Sequence, residues 1–265
     1  AIWFDADTLV PLVIFSELPG RLRNYENFVK SAAMLMTAYI ALGSHSRSGW
    51  VALVALCLLY IFIGIKASRP SKIIACATLV SLLFVIYSFV DIVHIRVDEV
   101  FIEFSKFVNG ELVSSVGQRL GMGVLDLLLI MEYPFFGVTD ATLPAYETLV
   151  AAMPILTEET YNIKVLAGSH SEILDQLVRR GVIFGGLSLF CMFAIPIYIF
   201  SKYSKFEGNR GVIAKMGLGL TVPILFSSLT IQVFNLKMTI TFYCLMIALI
   251  YAHLLFDRQK ETPSE

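Results

Sequence analysis

Three basic side chains stand where an anchoring role does not account for them. Arg47 lies in Gly-Ser-His-Ser-Arg-Ser-Gly-Trp (43–50), on the turn between two apolar runs. Arg119 lies in Val-Gly-Gln-Arg-Leu-Gly-Met-Gly (116–123), and His170 in Gly-Ser-His-Ser-Glu-Ile-Leu-Asp-Gln-Leu-Val-Arg-Arg-Gly (168–181). A charged group at a membrane boundary is a functional candidate by default. Arginine offers a planar fork of donors that meets a phosphate bidentately. Imidazole titrates near neutrality and suits a general base. On a helix, His170, Leu174 and Leu177 fall on one face at i, i+4 and i+7, so the imidazole is expected at a helix start, facing what the helices enclose. The blander alternatives are an interfacial Arg47 beside the belt residue Trp50, a solvated first-turn Arg119 and a structural His170.

Other constellations carry less. Asp5-Ala-Asp7 has the Asp-x-Asp form that nucleotide-sugar transferases use for magnesium, but two carboxylates in an exposed N-terminal stretch read as surface charge. There is no His-Glu-x-x-His, no Walker glycine loop and no Gly-x-Ser-x-Gly elbow. Cys57, Cys76, Cys191 and Cys244 all sit inside apolar runs without paired spacing, and read as small buried hydrophobes. No metal site and no cofactor are expected, so phosphate recognition would rest on arginine.

The elements that must position these residues are membrane helices. Of 265 residues, 57% are hydrophobic and only 15% charged, with a mean hydropathy of +0.76; a soluble domain carries about 25% charged residues, so a soluble enzyme is excluded. The net charge of −1 provides no basic excess for nucleic acid. The opening Ala-Ile-Trp-Phe-Asp-Ala-Asp lacks the basic region of a signal peptide, and the chain reads as the C-terminal part of a longer membrane protein. Six apolar runs approach the roughly 20 residues that cross a bilayer: 31–46 (reaching helical length from Phe28 with Lys30 snorkelling), 48–65, 73–90, 181–201, 216–235 and 238–256. Residues 8–16 are too few to span. Because the runs are continuously apolar rather than alternating, they are helices and not barrel strands.

Orientation follows the short connections. Lys66–Lys72 carries three positive charges and no acid, and 201–215 carries Lys202, Lys205, Arg210 and Lys215 against Glu207 alone. Both are assigned to the cytoplasm. Alternation then places 44–47, 94–180 and 235–237 outside. The outer segment 94–180 holds twelve of the 21 acids and six of the 20 basic residues. Its 87 residues far exceed an ordinary connection, which marks it as functional. Within it, 98–108 and 118–131 read as helices, the second stopped by Tyr133-Pro134. The stretch 135–154 reads as irregular with a short helix near 145–153, and 170–180 as a helix running directly into the next span. The expected fold is all-α: a polytopic transmembrane helix bundle with a long, partly helical periplasmic segment between two spans. Its divisions are a truncated preceding segment and cytoplasmic connection (1–27), three spans (28–93), the periplasmic segment (94–180), three spans (181–256) and a cytoplasmic tail (257–265).

The ordered set Ser-Arg-Ser-Gly-Trp (46–50), Arg119, Leu-Leu-Ile-Met-Glu-Tyr-Pro-Phe-Phe-Gly (128–137) and His170-Ser-Glu-Ile-Leu, ending in Arg-Arg-Gly at a span, resembles the C-terminal part of the O-antigen ligase and polymerase superfamily. That family reads roughly Ser-Arg-Gly-x-Trp, an Arg-led helix before a Pro-Phe/Leu-x-Gly turn, and His-Asn-x-x-Leu before a glycine-containing helix start. The resemblance covers about residues 20–256. Ser171 departs from the commoner Asn, Phe184 from a small residue, and Val138-Thr-Asp from Gly-x-Gly. The resemblance implies a metal-independent, inverting glycosyltransferase of the bacterial inner membrane with its active site facing the periplasm. As a ligase it would move a polysaccharide from an undecaprenyl diphosphate-linked glycan donor to a sugar hydroxyl of a lipid A core acceptor. As a polymerase it would join lipid-linked repeat units. His170 would then be the catalytic base, and Arg47 and Arg119 the diphosphate clamp. A carrier or flippase of lipid-linked glycan also needs such arginines, but would place them near the bilayer midplane on broken helices; here every span is free of charge.

Overall fold

The computed structural model describes residues 10–17, 20–43, 47–65, 67–109, 115–138, 169–235 and 237–261. Among them the regular structure is helical, with no strand. After a short helical stretch at 10–15, the α-helices among the described residues are, in order, α1 (Glu26–Gly43), α2 (Arg47–Leu59), α3 (Arg69–Phe89), α4 (Asp91–Val108), α5 (Ser115–Glu132), α6 (Glu172–Leu189), α7 (Ile195–Tyr203), α8 (Asn209–Ser228) and α9 (Lys237–Glu261). Asp5, Asp7 and the helix expected near 145–153 lie outside the described residues.

Among the described residues, four helical stretches are long and apolar enough to cross a bilayer: Arg69–Phe89, Glu172–Tyr203, Asn209–Ser228 and Lys237–Phe256. The chain is a multi-pass membrane protein. The runs at 31–46 and 48–65 also form helices, but α1 is diluted by Glu26 and Lys30, which pair one turn apart. The second run, Ser48–Gly64, is shorter. Six spans were expected from run length; four meet both the length and the apolarity needed.

The chain divides into two compact units. In the first (Ala1–Leu82, Met192–Ser227, Val233–Glu265), α8 is the most enclosed span. Gly217 and Gly219 leave room on α8 for the rings of Phe200 and Phe15. Residues 10–15, which the sequence left as too short to span, form helix, and Ile14 and Phe15 pack with Leu56. Trp50 Nε1 donates to the Ala41 carbonyl at 2.8 Å, tying α2 back onto α1.

Pro196 shows how the sequence sets a local break. Proline has no N–H and its ring crowds the carbonyl four residues back, so Met192 O cannot accept from residue 196. The backbone widens there into a π turn, Phe190–Ala194. Tyr243 Oη, on α9, donates to Met192 O at 2.6 Å, and its ring packs with Phe193 and Phe234. Tyr243→Phe is therefore expected to destabilise the fold by about 0.5–1.5 kcal/mol, the net worth of one hydrogen bond. Unfolding in detergent micelles measures this, and activity at low temperature should be unchanged.

The span expected over 216–235 is instead Asn209–Ser228, seven residues earlier at both ends. Charge does not end a helix at the membrane surface when the side chains can snorkel or stack. Arg210 lies over the rings of Tyr203 and Phe206, 5.9 and 5.6 Å from their centroids. At the other end, the uncharged residues 229–235 leave the helix as a turn.

The second unit comprises Leu83–Cys191 and Ser228–Gln232. The helix expected over 98–108 starts earlier, at Asp91, after a one-residue break at Val90. Tyr87 Oη donates to Asp98 across that break, at 2.8 Å. Helix α5 packs against both α4 and α6. Its Met122, Leu125 and Leu129 form a buried stripe at helical spacing, and it ends at Glu132, just before Tyr133-Pro134.

The helix expected over 170–180 does not run directly into the next span. Inside α6, Gly181 takes φ 69° and ψ 176°, a region open only to glycine. Val182 N–H, which would close the helical bond to Val178 O, donates instead to Pro134 O at 2.7 Å; Val178 O accepts from Val138 N–H at 2.7 Å. The 133–138 turn thus inserts its backbone into the break and satisfies both exposed groups. A Cβ on Gly137 or Gly181 would strike the opposing backbone.

Candidate functional site

Within the second unit, three segments converge on a cavity of about 470 Å³. Helix α5 supplies Arg119, Leu120, Gly123, Val124, Asp126 and Leu127. The start of α6 supplies His170, Ser171 and Leu174, and the turn after α8 supplies Leu229 and Thr230. Two of the three residues singled out in the sequence, Arg119 and His170, line the same cavity. Arg47 opens α2 and belongs to the first unit; its side chain lies outside the described residues.

Arg119 is exposed, one turn into α5, and lines the cavity. His170 is half-buried and precedes α6 rather than riding on it. The expected helical face of His170, Leu174 and Leu177 is therefore corrected: helix begins at Glu172, and Ser171, extended at φ −132° and ψ 128°, is its N-cap. Ser171 Oγ accepts from Leu174 N–H at 3.4 Å, a bond that suits serine as well as asparagine at this position. Its departure from the family pattern thus keeps the capping chemistry. Likewise, Val138 contributes through its backbone N–H, and Phe184 is exposed without crowding.

The bend carrying His170 is held from both sides. Ser171 Oγ donates to Ser228 O at 3.1 Å, and Glu172 N–H donates to Ile231 O at 3.2 Å. Ser169 Oγ donates to Asp126 Oδ1 on α5 at 3.1 Å. Asp175 gathers Gln232 Nε2 at 2.9 Å, Arg179 Nε at 2.9 Å and Ser169 N–H at 3.4 Å. Glu172, buried, accepts from Gln176 Nε2 at 2.7 Å. A bend fixed at four backbone or hydroxyl positions presents the imidazole in a defined pose, as a positioned acid or base requires. A basic arginine across an otherwise largely apolar cavity from a half-buried imidazole can hold an anionic group and handle a proton beside it.

Two contributors escaped the sequence reading. Asp126 was counted only among the acids of the outer segment, although it interrupts a leucine-rich run seven positions after Arg119 and so shares its helix face. Leu229 and Thr230 were assigned to a span; the polar content of Thr-Ile-Gln-Val-Phe-Asn (230–235) was the available signal. Among the described residues no three His, Cys, Asp or Glu side chains are placed to hold a metal ion.

A family model described as O-antigen ligase matches residues 32–191, more than half of the chain. The match contains Arg47, Arg119 and His170 together with the whole of α5. No curated protein matches the chain.

Proposed function

The chain belongs to the O-antigen ligase family, and from that premise we propose that it is a metal-independent inverting glycosyltransferase of the bacterial inner membrane. It moves a polysaccharide from undecaprenyl diphosphate to a sugar hydroxyl of the lipid A core, at the periplasmic face. The observation that carries this reading is the meeting of Arg119 and His170 at one cavity, and the collection of Lys and Arg in the connections 66–72 and 201–215 supports a cytoplasmic assignment of those loops.

The acceptor hydroxyl, with a pKa far above neutrality, gives its proton to the His170 imidazole as its oxygen attacks the anomeric carbon. The bond from that carbon to the diphosphate oxygen breaks, and its electron pair leaves with the lipid diphosphate. Arg119 and Arg47 neutralise the departing charge, so the leaving group needs no proton. Attack opposite the leaving group inverts the anomeric configuration. His170 then releases its proton to water.

A cell-envelope polysaccharide gel of a deletion strain tests the reading. Long chains left on the lipid carrier, with a bare core, are the expected result. Single repeat units capping the core would assign the chain to polymerisation of lipid-linked repeats instead, and a wild-type ladder would overturn both.

A further inference from the structure

The base assigned above needs more than a nearby helix start: a misplacement of about 1 Å at a reacting group can cost on the order of 100-fold. Asp126 is a carboxylate with 1% exposure, set among Met122, Leu125 and Leu129 on the buried stripe of α5. Withdrawing such a group from water is unfavourable unless it is hydrogen-bonded, and leucine would fill the site without that cost. Its Oδ1 accepts from the hydroxyl of Ser169, which is fully buried and adjoins His170. On the far side, the same bend hangs from Ser228 O and Ile231 O. The bend therefore bridges α5 and the 228–232 turn, and Asp126 is its hold on α5.

We propose that Asp126 is a positioning residue that, through the Ser169 hydroxyl, sets the pose of the His170 imidazole relative to Arg119. Asp126 and Arg119 are seven residues apart on one helix, about 10 Å along its axis, and both line the cavity. A rigid helix thus carries the diphosphate-binding arginine at one point and the anchor of the base at another. The lipid-diphosphate oxygen and the incoming hydroxyl are brought to a fixed separation by one element, without direct contact between Asp126 and either substrate. The inference rests on the reading of His170 as the base.

Full-length protein purified in detergent, with a lipid-linked glycan donor, provides the test. Ser169→Ala removes one hydroxyl and should lower kcat on the order of 10- to 100-fold, with the donor KM near wild type. Asp126→Ala should match it, and the double variant should be no worse than Asp126→Ala alone, because both delete the same bond. Asp126→Asn keeps an oxygen that accepts the Ser169 hydroxyl and should stay within about threefold of wild type, a rescue that a role in bulk stability would not separate from alanine. Hydrogen exchange at residues 169–174 should quicken in Ser169→Ala, a readout independent of catalysis. Wild-type kcat and exchange in Ser169→Ala, multiplicative losses in the double variant, or Asp126→Asn as impaired as Asp126→Ala would each overturn the proposal. Absence of glycan transfer by the wild-type enzyme would instead sink the base assignment, while the exchange measurement still decides whether Asp126 anchors the bend.

Discussion

His170→Gln is expected to lower turnover by about 10²–10⁴-fold while leaving the affinity for the lipid-linked donor near wild type. Glutamine approximates the size of imidazole and keeps a donor and an acceptor, but its amide cannot take a proton at neutral pH. The position of His170 makes this substitution informative. It lies before α6, and the helix is capped by Ser171, so the change removes neither a cap nor a helical hydrogen bond. The backbone of the bend is held through Ser169, Ser171 and Glu172, none of them altered. Folding should therefore survive, and a loss of rate reports chemistry. Turnover and donor affinity measured separately on the variant decide the matter; unimpaired turnover, or a loss confined to donor binding, returns His170 to the structural histidines.

Arg119→Ala should reduce kcat/KM by on the order of 10²–10³-fold, the effect of losing a donor aimed at developing charge. Arg119 is exposed at the cavity, whereas the packing of α5 rests on the buried Met122, Leu125 and Leu129, so the amount of folded protein should not change. Arg47→Lys should be nearly as damaging as Arg47→Ala, because an ammonium is a point charge and cannot reproduce the two parallel bonds of a guanidinium to a diphosphate. Complementation of a deletion strain, followed by kinetics on purified protein, measures both. Full complementation by Arg47→Ala would show that residue to be an interfacial anchor.

Composition and run length alone established that this is a helical membrane protein, because apolar helices of bilayer length cannot be hidden in any water-soluble arrangement of so few charges. The end of α5 before Tyr133-Pro134 and the candidacy of Arg119 and His170 were equally legible, being consequences of local chemistry and side-chain type. The tertiary structure decided what depends on a second segment. Gly181 can break α6 only because Pro134 and Val138 supply the backbone partners that the break leaves open. The residues after Ser228 are as uncharged as a span, yet the helix ends where Ser228 O accepts from the Ser171 hydroxyl and Ile231 O from Glu172 N–H. Asp126 reads as one acid in an apolar run until Ser169, 43 residues away, is seen to donate to it. Hydropathy sums a property of each residue along the chain, whereas helix ends, breaks and buried polar groups are settled by where the hydrogen bonds of distant residues are completed.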